Sequence, residues 1–244
     1  MSNFVSALFD SATPRDALCR LVRTASRALP QQCALCAAPC GDTLVCPACD
    51  SALPRLPPAC PRCATPTPGG TTCGKCLAKP PPWGLASTAF VYTYPLDRLL
   101  QAWKYRGVFA YAEFLAAALA RSLDGERPDA LVAMPLAPSR QRQRGFNQAA
   151  EIARRVARLQ RLPVVQGLAR VRETPSQAAL HRRERQRNLR TAFAGLPAIA
   201  GARIAIVDDV LTTGATLAAA ALAARRAGAT VHAAWVVART LPSA

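Results

Sequence analysis

The sequence predicts an α/β fold, a mostly parallel sheet with helices on both faces, preceded by a small cysteine-rich module. Three observations carry that expectation. From Trp83 onward, short apolar runs of strand length alternate with longer segments of helical periodicity. Eight cysteines between Cys33 and Cys76 fall into four CxxC pairs. The apolar run Ile204-Ala205-Ile206-Val207 leads directly into two aspartates, a hydroxyl-rich turn and a helical stretch.

The elements follow in chain order. Residues 1–30 form an amphipathic helix, with Leu18, Leu21, Val22, Ala25 and Leu29 at helical spacing. Residues 31–82 are rich in Cys and Pro, and Pro80-Pro81-Pro82 closes them as a stiff linker. Residues 83–244 make the α/β domain. Ser87–Tyr94 reads as a strand, Leu96–Lys104 and Phe109–Leu123 as helices. Ala130–Met134 is a short buried strand stopped by Pro135. Asn147–Arg161 is a helix and Leu162–Val165 a strand, followed by an Arg-rich loop. Arg203–Val207 is a buried strand, Gly214–Ala227 a helix that stops at Gly228, and Thr230–Val237 the last strand.

A length of 244 residues suits one ordinary domain plus a small module, and 51% hydrophobic content excludes a disordered chain. The longest uncharged apolar run, Leu217–Ala224, falls short of the roughly 18 residues of a membrane span. The first thirty residues carry Asp10 and Asp16 and no compact apolar segment, so no secretory signal or membrane insertion is expected and the location is cytoplasmic. The net charge of +17 points to an anionic partner. It concentrates between Pro138 and Arg190, where fourteen Arg face only Glu151, Glu173 and Glu184, an excess of eleven.

The cysteines pair as Cys33/Cys36, Cys46/Cys49, Cys60/Cys63 and Cys73/Cys76. Shifting the first two pairs by 27 residues reproduces the second two, so CxxC-x9-CxxC occurs twice in tandem. Each CxxC turn sets two thiolates on one side of a tight knuckle, and two knuckles supply the four sulfurs of a tetrahedral zinc site. Disulfides would need an oxidising compartment, and a redox CxxC usually occurs singly. Two structural zinc ions are therefore expected. Pairing within each repeat is favoured, and spacing leaves interleaving open. Cys19 and Cys40 fall outside the repeat and read as ordinary small residues.

The run Val207-Asp208-Asp209-Val210-Leu211-Thr212-Thr213-Gly214-Ala215-Thr216 has the order of a ribose 5-phosphate cradle. In an open α/β sheet, ligands sit beyond the carboxyl ends of the strands. Carboxylates there accept hydrogen bonds from ribose hydroxyls. Backbone N–H groups of Thr212, Thr213, Gly214, Ala215 and Thr216, at a helix N-terminus, suit a phosphate dianion.

This run resembles the 5-phosphoribosyl 1-pyrophosphate (PRPP) signature of type I phosphoribosyltransferases. With the double CxxC module, Leu99–Tyr105, Arg144-Gly145-Phe146-Asn147-Gln148-Ala149, and Thr174, Gln177, Arg185 and Asn188, the chain resembles the ComF/GntX family of amidophosphoribosyltransferase-like proteins. The resemblance spans Cys33 to Arg239. It implies a double zinc ribbon joined to a type I phosphoribosyltransferase fold, and a link to DNA uptake in natural competence. It also implies Asp208 and Asp209 on the ribose, Thr212–Thr216 on the 5-phosphate, and the turn at Pro135 and Leu136 near the pyrophosphate. Arg142, Arg144, Arg182 and Arg185 become candidates for holding that leaving group, with magnesium carried by PRPP. Residues 83–105 would form a hood over the acceptor, with Lys104 near the site. Two functions are consistent with these features: phosphoribosyl transfer to an acceptor, or a non-catalytic role as a PRPP sensor or single-stranded-DNA binder among competence proteins. His181 sits in the Arg-rich loop and His232 in a strand, where a structural role is expected.

Overall fold

The computed structural model describes residues 31–41, 43–106, 109–123, 125, 127–172 and 191–241. The helix expected over residues 1–30 lies outside them, as do Cys19, His181, Arg182 and Arg185. Packing divides the chain into two units, which break between Ala52 and Leu53.

In the first unit, β1 (Gln31–Gln32) pairs antiparallel with β2 (Pro39–Gly41), and α1 (Pro47–Ser51) follows. Cys33, Val45 and Cys46 are its buried apolar residues. Among the described residues this is a small core, of the kind that a bound metal stabilises by cross-linking.

The second unit contains α2 (Gly74–Ala78) and then the α/β body. Its parallel sheet comprises β3 (Leu85–Val91), β4 (Ala130–Ala133), β7 (Arg203–Leu211) and β8 (Thr230–Arg239), in the order β3-β8-β7-β4. The strands β7 and β8 are central and almost wholly apolar inside, with Ile204, Ile206, Val236 and Val237 fully buried, as a sheet covered on both faces requires. On one face lie α4 (Phe109–Arg121) and α6 (Gln148–Gln160), which pack on each other and on the strands. On the other lies α7 (Ala215–Arg226), with a small antiparallel pair, β5 (Leu168–Arg170) and β6 (Phe193–Gly195), packed against it. Helix α6 carries Ala149, Ile152, Ala153 and Val156 on its buried stripe, and Asn147 caps it by accepting from the Ala150 N–H.

Most predicted elements are present, with informative differences. The strand expected at Ser87–Tyr94 lies at Leu85–Val91 as the sheet's edge strand β3, and the helix expected at Leu96–Lys104 is α3 (Leu96–Arg106). A short helix that the sequence did not predict, α5 (Pro138–Arg144), has Pro at its first position and ends at Gly145 with φ 74°. Leu162–Val165 makes a single parallel bridge, Val164 to Leu131, beside β4. The strand β7 runs four residues past Val207, because β8 runs equally far and keeps pairing with it up to Leu211 opposite Arg239.

Candidate functional site

The four sulfurs of Cys33, Cys36, Cys46 and Cys49 lie within 4.8 Å of one another, and so do those of Cys60, Cys63, Cys73 and Cys76. Pairing is thus within each repeat. A zinc ion at about 2.3 Å from four tetrahedral sulfurs implies sulfur–sulfur edges of about 3.8 Å. Cys36 and Cys46 are 3.8 Å apart, and Cys63 and Cys73 are 3.6 Å apart. Both sets fit zinc without rearrangement. Burial opposes ionisation of Cys33, yet N–H groups of Cys46, Cys36 and Leu35 outweigh it and hold the thiol near 6. Cys60 is brought to about 6 in the same way, against burial, by the N–H groups of Cys73, Arg62 and Cys63. In contrast, the Cys36 side chain, with burial, pushes Cys49 up to about 12, and burial with Cys63 and Cys73 raises Cys76. Four thiols this close cannot all ionise without a cation, and a divalent metal removes that conflict.

The second site lies at the carboxyl end of the sheet. The β4–β7 pairing ends at Ala133–Val207, and only the Met134 N–H to Val207 carbonyl bond (2.8 Å) continues it. Beyond that point β7 stays paired with β8 but its other edge is open, so Asp208 and Asp209 border a cleft. The cleft is also lined by Pro135, Leu136, Thr212, Gly214 and Thr216. Gly214 takes φ 78°, and Trp83 stands 3.4 Å from where a side-chain carbon would begin, so glycine alone suits this turn. Helix α7 starts immediately after it with no side-chain cap from Gly214; the Ala215 N–H donates to Thr213 Oγ1 at 3.4 Å, and the N–H groups that follow it in the first turn can serve an anion.

The electrostatics of the aspartate pair are asymmetric. Lys104 Nζ is 2.7 Å from Asp209 Oδ2, and both side chains are less than one-fifth exposed. Burial, then the Asp209 charge, raises Asp208 well above the usual carboxylate range. Burial pushes Asp209 up as well, but Lys104 outweighs it and holds Asp209 below that range. The two carboxyls are thus pushed in opposite directions, Asp208 toward its protonated form and Asp209 toward its charged form. Each is further held by a backbone bond, Asp209 N–H to Asp208 Oδ1 (2.9 Å) and Val210 N–H to Asp209 Oδ1 (2.8 Å).

Cations face this pair from several elements. Arg140 and Arg144 come from α5, and Arg170 from β5, where the Phe193 ring lies 5.4 Å from its guanidinium carbon. Gln148, buried at the start of α6, accepts from Arg144 Nη1 at 3.2 Å. Arg144 has only donors, so it takes the Gln148 carbonyl oxygen and leaves the amide nitrogen without a partner among the described residues. That orphan donor borders the cleft. Asn147 is spent on structure, donating to the Met134 carbonyl at 3.0 Å and capping α6.

Of the residues expected from sequence, Pro135, Leu136, Arg144, Asp208, Asp209, Thr212, Gly214 and Thr216 line one cleft. Thr213 and Ala215 belong to the same turn, and the Ala215 N–H is 3.4 Å from Thr213 Oγ1. Arg142 is exposed on α5 and does not line the cleft. Arg182 and Arg185 lie outside the described residues. Arg140, Arg170 and Gln148 were not expected here. The Arg-Gly-Phe-Asn-Gln run pointed at Gln148, but no local signal separates Arg140 and Arg170 from their many Arg neighbours.

Residues 25–77 match the family model described as a double zinc ribbon domain. Over 181 residues the chain is 39% identical to the DNA utilization protein YhgH of Salmonella typhi, spanning 69% of this chain and 78% of that protein. It is 32% identical over 178 residues to competence protein F of Haemophilus influenzae, spanning 68% and 78% respectively. Among solved structures it is similar to an adenine phosphoribosyltransferase from Thermoanaerobacter pseudethanolicus at a TM-score of 0.35 and 18% identity, over 59% of this chain and 86% of that one. No helix among the described residues is long and apolar enough to cross a membrane.

Proposed function

The chain belongs to the ComF family, that of DNA utilization protein YhgH and competence protein F, and from that premise we propose that it binds PRPP and transfers its phosphoribosyl group to an acceptor. One observation carries this reading. The aspartate pair, the start of α7 and three arginines share a single cleft at a strand end.

The parts divide the ligand between them. The turn 212–216 binds the 5-phosphate through backbone N–H groups and the Thr212 and Thr216 hydroxyls. Asp209 accepts from one ribose hydroxyl and Asp208, whose carboxyl is pushed toward its protonated form, meets the other. Pro135 and Leu136 bring the backbone after β4 to the pyrophosphate, and Arg140, Arg144 and Arg170 neutralise it. In the transfer, the acceptor forms a bond to the anomeric carbon as the bond to the pyrophosphate oxygen breaks, and the pair of electrons leaves with pyrophosphate. The side chains position and stabilise charge, and supply no nucleophile of their own. The cleft presents no closed shell of protein oxygens for magnesium, since Asp209 is engaged by Lys104. Magnesium would therefore be held on pyrophosphate oxygens, where it offsets the charge of the leaving group. The zinc sets are four-sulfur and closed, so they serve structure and not chemistry.

Calorimetry with PRPP and magnesium tests the reading. Replacing both acids, Asp208→Asn with Asp209→Asn, is expected to weaken binding by about tenfold or more, since hydrogen bonds to a charged group contribute about 1.5–3 kcal/mol each. Equal affinity in the double variant overturns the assignment. Pyrophosphate release from PRPP against bases, amines and nucleic-acid ends then separates transfer from binding alone. A second reading, a sensor or single-stranded-DNA binder in DNA utilization, is favoured by the eleven excess positive charges between Pro138 and Arg190. Under it, DNA binding falls steeply with added salt, and no mobility shift at low salt removes it.

A further inference from the structure

The second cysteine set is not a separate appendage in the second unit. Arg62 lies inside the Cys60–Cys63 knuckle, and its carbonyl accepts from Trp83 Nε1 at 2.8 Å. The same indole stands against Gly214 in the phosphate turn. On the other side of the knuckle, the Cys63 carbonyl accepts from Arg239 Nε at 2.9 Å, and Thr65 Oγ1 from Arg239 Nη2 at 3.4 Å. The opposite edge of that guanidinium donates through Nη1 to the Leu211 carbonyl at 2.9 Å and to the Thr212 carbonyl. Arg239 is 8% exposed. A buried guanidinium is stable only where its planar set of donors is met by fixed acceptors and its charge by a counter-charge. Its acceptors lie at the zinc knuckle, where they are the Cys63 carbonyl and Thr65 Oγ1, and at the turn that opens the phosphate loop, where they are the Leu211 and Thr212 carbonyls, with the Thr240 carbonyl just after β8 a further acceptor of Nη1 at 2.5 Å. A zinc ion with four thiolates carries a net negative charge and supplies the counter-charge.

We propose that Arg239 and Trp83 make the second cysteine set the foundation of the phosphate turn, so that metal in the Cys60–Cys76 set, and not in the Cys33–Cys49 set, determines how well residues 211–217 are ordered to bind a phosphate. Arg239 is a positioning residue: it touches the turn from behind and acts on ligand through the carbonyls of Leu211 and Thr212. The consequence for ligand rests on the phosphoribosyl reading above, and the consequence for the turn does not.

The test uses the full chain with three variants, following zinc per chain, amide hydrogen exchange over 211–217 and 130–133, and titration with ribose 5-phosphate. Cys49→Ser in the first set is expected to lose about one zinc and leave exchange at 211–217 and ribose 5-phosphate affinity as in the wild type. Cys76→Ser in the second set is expected to lose about one zinc, lose protection at 211–217 while 130–133 stays protected, and weaken ribose 5-phosphate about tenfold, the usual scale for removing outer support of a site. Arg239→Gln covers the case in which Cys76→Ser does not fold. It is expected to keep both zinc ions and still lose protection at 211–217. Protection of the turn retained in Arg239→Gln, or lost equally in Cys49→Ser, overturns the proposal. A wild-type protein that binds no ribose 5-phosphate overturns the phosphoribosyl reading instead, and the exchange measurement still decides the role of Arg239.

Discussion

Asp208 and Asp209 are adjacent in sequence, and their surroundings push their carboxyls in opposite directions. A carboxyl in the unfolded chain ionises near about 3.9. Between that pH and the raised folded value of Asp208, the folded protein holds a proton that the unfolded chain has released, so this group lowers stability as pH rises. Asp209 acts in the opposite sense. Its stabilisation is present above about 3.9 and is lost as pH falls through its depressed folded value. Asp208→Asn removes the first effect and also alters the second, since the Asp208 side chain helps to hold Asp209 down. Thermal melts of that variant with zinc present are expected to lose less stability than those of the wild type as pH rises above about 3.9, and equal slopes would overturn the raised ionisation of Asp208. The aspartates themselves were legible in sequence as the end of an apolar run. The asymmetry was not, because it comes from Lys104, more than one hundred residues earlier in the chain and brought to Asp209 by α3.

At the scale of elements, close approach explains the alanine-rich helix α7. Ala219, Ala220, Ala221, Ala223 and Ala224 are all buried, and β6 passes directly over their turn. A side-chain carbon added at Gly195 would stand 2.6 Å from the Ala223 carbonyl oxygen and 2.6 Å from Ala227 Cβ. Gly195→Ala must therefore displace a helix or a strand, at about 1–3 kcal/mol, the usual scale of overpacking. A melting temperature equal to the wild type's would mean that β6 does not press on α7. The helix was readable from its composition and from Gly228 behind it. The pair β5 and β6 was not, since each strand has three residues and the two are far apart in sequence, so neither carries a periodic pattern. With that pair went Arg170, which only the β5–β6 pairing and the Phe193 ring direct at the cleft.

At the scale of the whole molecule, two closed thiolate sets support parts of very different intrinsic stability. Protein purified without chelator is expected to carry close to two zinc ions per chain, and a value near zero would overturn the zinc assignment. On chelation, residues 31–52 should lose amide protection first, because among the described residues of this unit only Cys33, Val45 and Cys46 are buried apolar ones, and two of those three belong to the cysteine set. The central strand segment Ile204–Val207, fully buried and paired on both sides, should keep its protection. Loss of protection in both regions at one chelator concentration would show that the sheet depends on the metals as much as the first unit does.

What the sequence by itself determined is whatever short spacing dictates: two sets of four cysteines, alternating strands and helices, and a strand-turn-helix run with two acids at its bend. Each is complete within a few tens of residues, so its physics is local. The tertiary structure decided which distant groups meet those features. The order β3-β8-β7-β4 sets Arg239 of β8 level with Leu211 of β7, at the point where the second cysteine knuckle lies beneath the phosphate turn. Ending β4 at Ala133 while β7 continues to Leu211 opens the edge on which Lys104, Arg140, Arg144 and Arg170 converge. Those meetings depend on register and strand order, which are set by burial of the whole sheet and leave no mark in any single stretch of chain.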